Sequence, residues 1–320
     1  MSVLYVVVPC YNEQEVLGET TRRLTERLSR LIENGICHPD SRILYVDDGS
    51  KDQTWSMIEQ FHTENPLVCG IKLAHNRGHQ NALLAGLMVA KDRCDCAVSM
   101  DADLQDDVAV LDGFMEKFAA GNQVVYGVRS SRKTDTFFKR ATAQGYYKVL
   151  QAMGVEVVYN HADCRLMSRR ALEELSHYRE TNLFLRGMVP HLGFQSDVIY
   201  FERAERFAGE SKYPLKKMLA LAWDGITSFS VKPLQWIWGA GLGVTILSVI
   251  GLLACLVLWL CNQSVGLWAA VASIWLLGGV LLIAMGVLGS YLGKLYFEVK
   301  DRPRFAVEKV VFSKTSQKKS

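Results

Sequence analysis

The chain has 320 residues, a formal net charge of +3 and eight cysteines. That length fits one or two domains, and so small a charge excess leaves no electrostatic footprint for nucleic acid, which is excluded as a partner. The composition averages two unlike parts: a mixed stretch to about residue 230, then Pro233 to Gly293 without one charged side chain.

Val3–Val8 is a β-branched run that reads as a strand, followed by Pro9-Cys-Tyr11-Asn-Glu13. Asn12 suits the N-cap of a helix through about Glu33, because Val16, Leu24, Leu28, Leu31 and Ile32 keep helical spacing and Asn34-Gly35 stops it. Ile43–Val46 is a second strand ending in Asp47-Asp48-Gly-Ser50, and Ser50 or Asp52 opens a helix toward Glu64. Val68–Leu73 is a third strand and Gly78–Arg93 a third helix. The apolar residues Ala97, Val98 and Met100 mark a fourth strand, which ends in Asp101, Asp103, Asp106 and Asp107. A helix over Val108–Ala119 and a strand over Val124–Val128 follow.

This alternation predicts an α/β fold: a mostly parallel sheet with helices on both faces. Ligands of such sheets sit outside the carboxyl ends of the strands. The polar clusters fall there each time, at Pro9–Glu13, Asp47–Ser50, His75–His79, Asp101–Gln105 and Arg129–Arg132. Asp101 and Asp103 project to one side of an extended backbone. Two carboxylates about 4 Å apart repel by roughly 4 kcal/mol at an effective dielectric near 20. A hard divalent cation turns that repulsion into attraction and keeps positions for substrate phosphates. Asp106 and Asp107 fit better as acids at the start of the next helix. Neither GxGxxG nor GxxxxGK[ST] is present, which argues against a dinucleotide dehydrogenase or a P-loop ATPase.

The uncharged segment 234–293 is long enough for two membrane helices, near 236–261 and 267–291, joined at Asn262-Gln-Ser264. Lys212, Lys216, Lys217 and Lys232 precede it, and Lys294, Lys300, Arg302, Arg304 and Lys309 follow, so both ends are expected on the cytoplasmic side. Residues 213–233 read as an interfacial helical segment with a basic edge, and 294–320 as a basic cytoplasmic tail. Gly239-xxx-Gly243 and Gly289-xxx-Gly293 allow close helix approach within or between subunits, so a homo-oligomer is compatible with the sequence. Met1–Pro9 lacks the basic start of a signal peptide. The cysteines form no CxxC pair and read as reduced thiols.

Taken together, the motifs resemble family 2 glycosyltransferases of the GT-A fold. They are Val-Val-Pro9-Cys-Tyr11-Asn-Glu13, Val46-Asp-Asp48-Gly-Ser-Lys-Asp52, Asn76-Arg-Gly78 with Ala82 and Gly86, and Met100-Asp-Ala-Asp103-Leu-Gln105. Gly127-Val-Arg129, Asp163-Cys-Arg-Leu-Met-Ser-Arg169, Arg206-Phe-Ala-Gly-Glu-Ser-Lys212-Tyr213 and the apolar hairpin narrow the resemblance to polyprenyl-phosphate glycosyltransferases. These include bacterial undecaprenyl-phosphate (bactoprenol) glucosyltransferases and dolichol-phosphate mannose synthases.

The resemblance implies a cytoplasmic GT-A domain over 1–212 and a multi-pass protein of the bacterial inner membrane. It implies inverting transfer of a hexose, glucose from UDP-glucose first, to undecaprenyl phosphate, yielding a lipid-linked sugar for cell-envelope glycans. GDP-mannose, UDP-galactose, UDP-GlcNAc and a UDP-aminoarabinose derivative are the alternative donors. Pro9, Tyr11 and Glu13 would line the nucleoside pocket, with Asp48 near base and ribose. Asp101, Ala102 and Asp103 would face the diphosphate, and Asp103 with Gln105 and Asp101 would hold Mg²⁺ or Mn²⁺. Arg129, Lys139 and Arg140 would bind the lipid phosphate, Arg206 and Lys212 would close over the donor, and Asp163 would stand beside the acceptor. A separate small membrane flippase is a compatible partner. Cys164 and His79 depart from the pattern, standing where an aromatic residue and Lys are frequent.

Four other readings compete. Asp163 could pair with Arg165 or Arg169 on the surface. Arg132, Lys133, Lys139, Arg140 and Lys148 could form a solvated helix face, although a membrane-borne phosphate calls for cations. A membrane-anchored nucleotide-sugar sensor would bind donor without turnover, and a processive polysaccharide synthase would carry QxxRW and more membrane helices.

Overall fold

The protein is described from a computed structural model covering residues 1–129, 161–178, 185–201, 267–300 and 302–312, with isolated positions between 236 and 250. The described strands are β1 (Leu4–Cys10), β2 (Arg42–Asp47), β3 (Val68–Leu73), β4 (Cys96–Ser99), β5 (Val124–Arg129), β6 (His161–Ser168), β7 (Ser196–Phe201) and β8 (Val307–Val311). The helices are α1 (Leu17–Glu33), α2 (Thr54–Glu64), α3 (His79–Lys91), α4 (Val110–Ala119), α5 (Arg169–His177), α6 (Leu185–His191) and α7 (Leu267–Val299).

The eight strands form one sheet in the order β7-β5-β6-β4-β1-β2-β3-β8. β1 lies at its centre, parallel to β2 and β4, and all seven of its residues are buried. Burial on both faces is what a continuous Leu-Tyr-Val-Val-Val run requires. α1 supplies one cover through Leu17, Leu24, Leu28 and Leu31, while Glu19, Arg22, Glu26 and Arg30 pair along its outer side. α3 covers β1 and β2 at very close range. A Cβ on Gly86 would meet Val7 Cγ1 at 2.4 Å and Val46 Cγ2 at 2.6 Å, so only glycine fits there.

Three local expectations are corrected, and the mostly parallel sheet gains antiparallel members. Asn12 does not cap α1: its φ is 54°, and the helix begins five residues later behind Val16, which makes no side-chain cap bond. Asn12 instead ties two loops together, its N–H donating to Ser50 Oγ and its Oδ1 accepting from the Lys51 N–H, both at 2.9 Å. β4 stops at Ser99, so Asp101 and Asp103 belong to the turn beyond the strand. The sheet is mixed, because β6 runs antiparallel to both β4 and β5, and β8 antiparallel to β3. Finally, residues 307–311, within the expected tail, form the edge strand β8.

The chain divides into two units, one holding β1–β8 with α1–α6 and the other holding α7. α7 is 33 residues long, about 50 Å at 1.5 Å per residue. Among the described residues no helix is long and apolar enough to cross a membrane. The expected span at 236–261 lies almost wholly outside those residues; the one at 267–291 falls within α7, several of whose side chains are also outside them.

Candidate functional site

One edge of the sheet collects the groups of interest. The carboxyl ends of β1, β2, β3 and β4 all open onto it, because these strands are mutually parallel. β5 shares their direction by being antiparallel to β6, so Arg129, its last residue, ends at the same edge; only its backbone is described, paired with Phe201 of β7. β6 runs the other way and brings its beginning, with Asp163, to that edge. Lys139, Arg140, Arg206 and Lys212 lie outside the described residues.

On the β1–β2 side, Pro9 is buried in β1 opposite Val46, Tyr11 is exposed, and the Glu13 N–H donates to Thr54 Oγ1 at 2.9 Å. Asp48 is only 2% exposed. Its Oδ1 accepts from the Arg77 N–H at 2.7 Å and its Oδ2 from the Gly78 N–H at 2.8 Å, which pins the β3–α3 loop against the end of β2. Burial pushes the Asp48 carboxyl above its ordinary value, and the two backbone bonds pull it back only in part. Gly49 completes the clamp: with φ at 67°, a Cβ there would sit 2.8 Å from the Asn76 nitrogen. Asp48 therefore shapes this loop. A hollow of about 340 Å³ lined by Asn12, Gln14, Glu15, Lys51 and Asp52 lies beside these loops, and no acidic-turn residue lines it.

The acidic turn follows β4. Ala102 and Leu104 are buried, while Asp101, Asp103 and Gln105 are partly exposed, so the three oxygen-bearing side chains alternate with anchors. Thr20 of α1 donates its hydroxyl to the Ala102 carbonyl at 2.7 Å, Leu104 adopts φ 58°, and Asp103 Oδ1 accepts from the Gln105 N–H at 3.2 Å. Asp107 Oδ1 accepts from the Ala109 N–H at 2.9 Å, as an acid at a helix start does. Two carboxylates and an amide oxygen fit a hard cation such as Mg²⁺ or Mn²⁺. Among the described residues no group of three or more His, Cys, Asp or Glu side chains is arranged to hold a metal.

Asp163 lies near the start of β6, beside β4. Ser99 of β4 donates its hydroxyl to the Asp163 carbonyl at 2.6 Å, and β4 pairs with β6 so that Ser99 faces Arg165. Arg186 Nε donates to Asp163 Oδ1 at 2.9 Å and Arg186 Nη2 to Oδ2 at 2.8 Å; Arg165 Nη2 adds a bond to Oδ1 at 3.3 Å. Burial alone would raise the Asp163 carboxyl, but the Arg186 and Arg165 guanidiniums outweigh it and hold the group well below the usual carboxylate range. Arg165, itself buried, is pushed below its ordinary value by desolvation. Asp163 does pair with Arg165, though in a largely buried cluster; Arg169 turns instead to the Cys94 carbonyl and Asp95. His79, at the start of α3, lies 3.6 Å from Asp101 and also acts electrostatically on Asp163, so the acidic turn and Asp163 share one neighbour.

Sequence reasoning missed Arg186. Its signal was a lone cation inside the apolar run Leu183-Phe-Leu-Arg186-Gly-Met-Val189. The six described cysteines are buried, and none of them is joined in a disulfide.

Comparison with known proteins adds an independent line. The sequence profile of glycosyl transferase family 2 matches residues 5–176. The uncharacterized glycosyltransferase YkoT of Bacillus subtilis (strain 168) is 52% identical over 307 residues, covering 96% of this chain and 91% of that protein. The SfII prophage-derived bactoprenol glucosyl transferase of Shigella flexneri is 38% identical over 315 residues, covering 95% of this chain and 97% of that protein. Among solved structures, glucosyl-3-phosphoglycerate synthase from Mycobacterium tuberculosis in complex with Mn²⁺, UDP-glucose and phosphoglyceric acid has a TM-score of 0.47 at 17% identity, covering 71% of this chain and 78% of that chain.

Proposed function

Because the chain belongs to glycosyl transferase family 2, we propose that this enzyme moves one hexose from a nucleotide-sugar, UDP-glucose first, to undecaprenyl phosphate at the cytoplasmic face of a bacterial membrane. The observation that carries this reading is the meeting, at one sheet edge, of the Asp101–Gln105 turn with the guanidinium-bound Asp163. Similarity to a bactoprenol glucosyl transferase over nearly the whole chain supports the lipid acceptor.

In this reading Asp103, Gln105 and Asp101 hold a divalent cation, which when bound offsets charge developing on the departing nucleoside diphosphate. Pro9, Tyr11 and Glu13 flank the nucleoside, and Arg206 and Lys212 cover the donor. Arg129, Lys139 and Arg140 receive the lipid phosphate. That phosphate is already an anion, with a second pKa of about 6, so it needs little deprotonation. A carboxylate gripped by two guanidiniums is a weak base, and Asp163 orients the acceptor. Attack opposite the leaving group inverts the anomeric centre.

The acceptor's address is the bilayer. From Leu267 to Gly293 the sequence carries no charge, and in α7 Ile274 and Ile283 are each 70% exposed. Side chains of that kind suit lipid rather than water. β8 belongs to the same sheet as β1, so the chain on either side of the apolar segment belongs to one folded unit. A segment whose two flanks share one side of a membrane crosses it an even number of times, which supports the pair of spans at 236–261 and 267–291.

Purified protein incubated with each of UDP-glucose, UDP-galactose, UDP-GlcNAc and GDP-mannose, plus undecaprenyl phosphate, tests the reading. An acid-labile monosaccharide lipid with UDP-glucose is expected. Intact bound donor, or a long polymer, would count against it.

A further inference from the structure

Arg186, the second residue of α6, is among the described residues the charged group closest to Asp163, and the reaction above has no use for it. Its place is built from several sides. The Leu185 N–H donates to Gln80 Oε1 at 2.9 Å, at the start of α3. Arg165 Nη1 donates to the Leu185 carbonyl at 3.1 Å while its Nη2 reaches Asp163. The backbone of Leu185, the residue preceding Arg186, is thus gripped from α3 and from β6, and burial of Arg165 is tolerated because both its amino groups have partners.

The contact that results is a parallel pair of N–H···O bonds from one guanidinium edge to both carboxylate oxygens. A carboxylate's terminal torsion is otherwise broad, and a fork of this shape fixes it, whereas a lysine ammonium would hold the charge without the plane. Among the described residues, Arg165 on its own strand and His79 from α3, beside Asp101, also face Asp163.

We propose that Arg186 is a positioning residue of the transfer reaction, setting the plane of the Asp163 carboxylate toward the acceptor. The proposal rests on the acceptor-side reading of Asp163. It assigns Arg186 no contact with the donor, so its removal is expected to act on turnover through Asp163.

A double-mutant cycle on full-length protein in nanodiscs tests this, with UDP-glucose, undecaprenyl phosphate and Mn²⁺. UDP release and lipid product are measured separately. Arg186→Met is expected to lower kcat by about tenfold or more while donor KM stays within about twofold. Arg186→Lys, which keeps charge but not the fork, recovers only part of the loss. Asp163→Asn combined with Arg186→Met turns over no more slowly than the slower single variant. Losses that multiply in the double variant, or an unaltered kcat in Arg186→Met, overturn the assignment. If Arg186→Met does not fold, the same cycle with Arg186→Lys gives the same decision. Wild-type UDP release without glucosyl lipid would overturn the acceptor reading instead, and the cycle on UDP release still decides the role of Arg186.

Discussion

Arg186 grips both oxygens of Asp163, at 2.9 and 2.8 Å, across 23 residues of sequence. That relationship separates two roles a partly buried acid can play in a reaction site. An isolated buried carboxylate rises toward neutrality and can take a proton. This one is held ionised, with burial outweighed by Arg186 and Arg165.

The pH dependence follows with a definite sign. The folded value of Asp163 lies below the unfolded value of about 3.9. Its contribution to stability is therefore fully present above about pH 4 and is lost only as pH falls through the lower folded value. Between about pH 5 and 8, neither the unfolding midpoint nor kcat should show an Asp163 titration. A wild-type acid limb in this range that vanishes in Asp163→Asn would contradict the assignment.

Asp103 is expected to be indispensable to metal-dependent turnover. Asp103→Asn should lower kcat by at least about tenfold, and Mn²⁺ added after chelation should restore the wild type but not the variant. Full activity in Asp103→Asn, with or without chelator, would remove Asp103 from the site.

Asp48 makes a prediction about stability as much as about binding. Both its oxygens accept backbone N–H groups, so the amide of Asp48→Asn would turn one donor against another. A loss of about 1–3 kcal/mol is expected by denaturant titration, together with weaker donor binding as the His75–Gly78 loop loosens. Relief of a buried charge opposes this loss, and an unchanged midpoint would show that the relief compensates in full.

β8 predicts that the C-terminal stretch is structural. Its pairing with β3 runs from Gly70–Val311 to Leu73–Val307, and the Ala74 N–H donates to the Ala306 carbonyl at 2.9 Å. Deleting 305–320 would bare the β3 edge. A lower thermal midpoint and a rise in aggregates on size exclusion are expected; indistinguishable behaviour would show that the edge tolerates exposure.

How much of this was legible in the sequence depended on whether local signals agreed with tertiary ones. β3 has its expected limits, Val68–Leu73, because a compact apolar run bounded by polar turns has little freedom. β6 was not legible as a strand: Asp163 and Arg165 interrupt its apolar pattern, and they are tolerated only because Arg186 and the Leu185 carbonyl partner them. β8 was hidden for a related reason, since an exposed, charged segment becomes a strand only against an open sheet edge. At the acidic turn Asp101 and Asp103 are partly exposed beside buried Ala102, and they belong to the turn rather than to the strand from which the alternation was read. Asn12 looked like a cap because its side chain suits one; a left-handed backbone diverted it to bridging two loops.

The most direct measurement is the stoichiometry and anomeric form of the product made by purified protein in nanodiscs holding undecaprenyl phosphate and supplied with UDP-glucose and Mn²⁺. The account predicts one UDP released per β-linked glucosyl phospholipid, abolished by Asp103→Asn. UDP released without a sugar-bearing lipid, or a lipid that keeps the donor's α configuration, would contradict it.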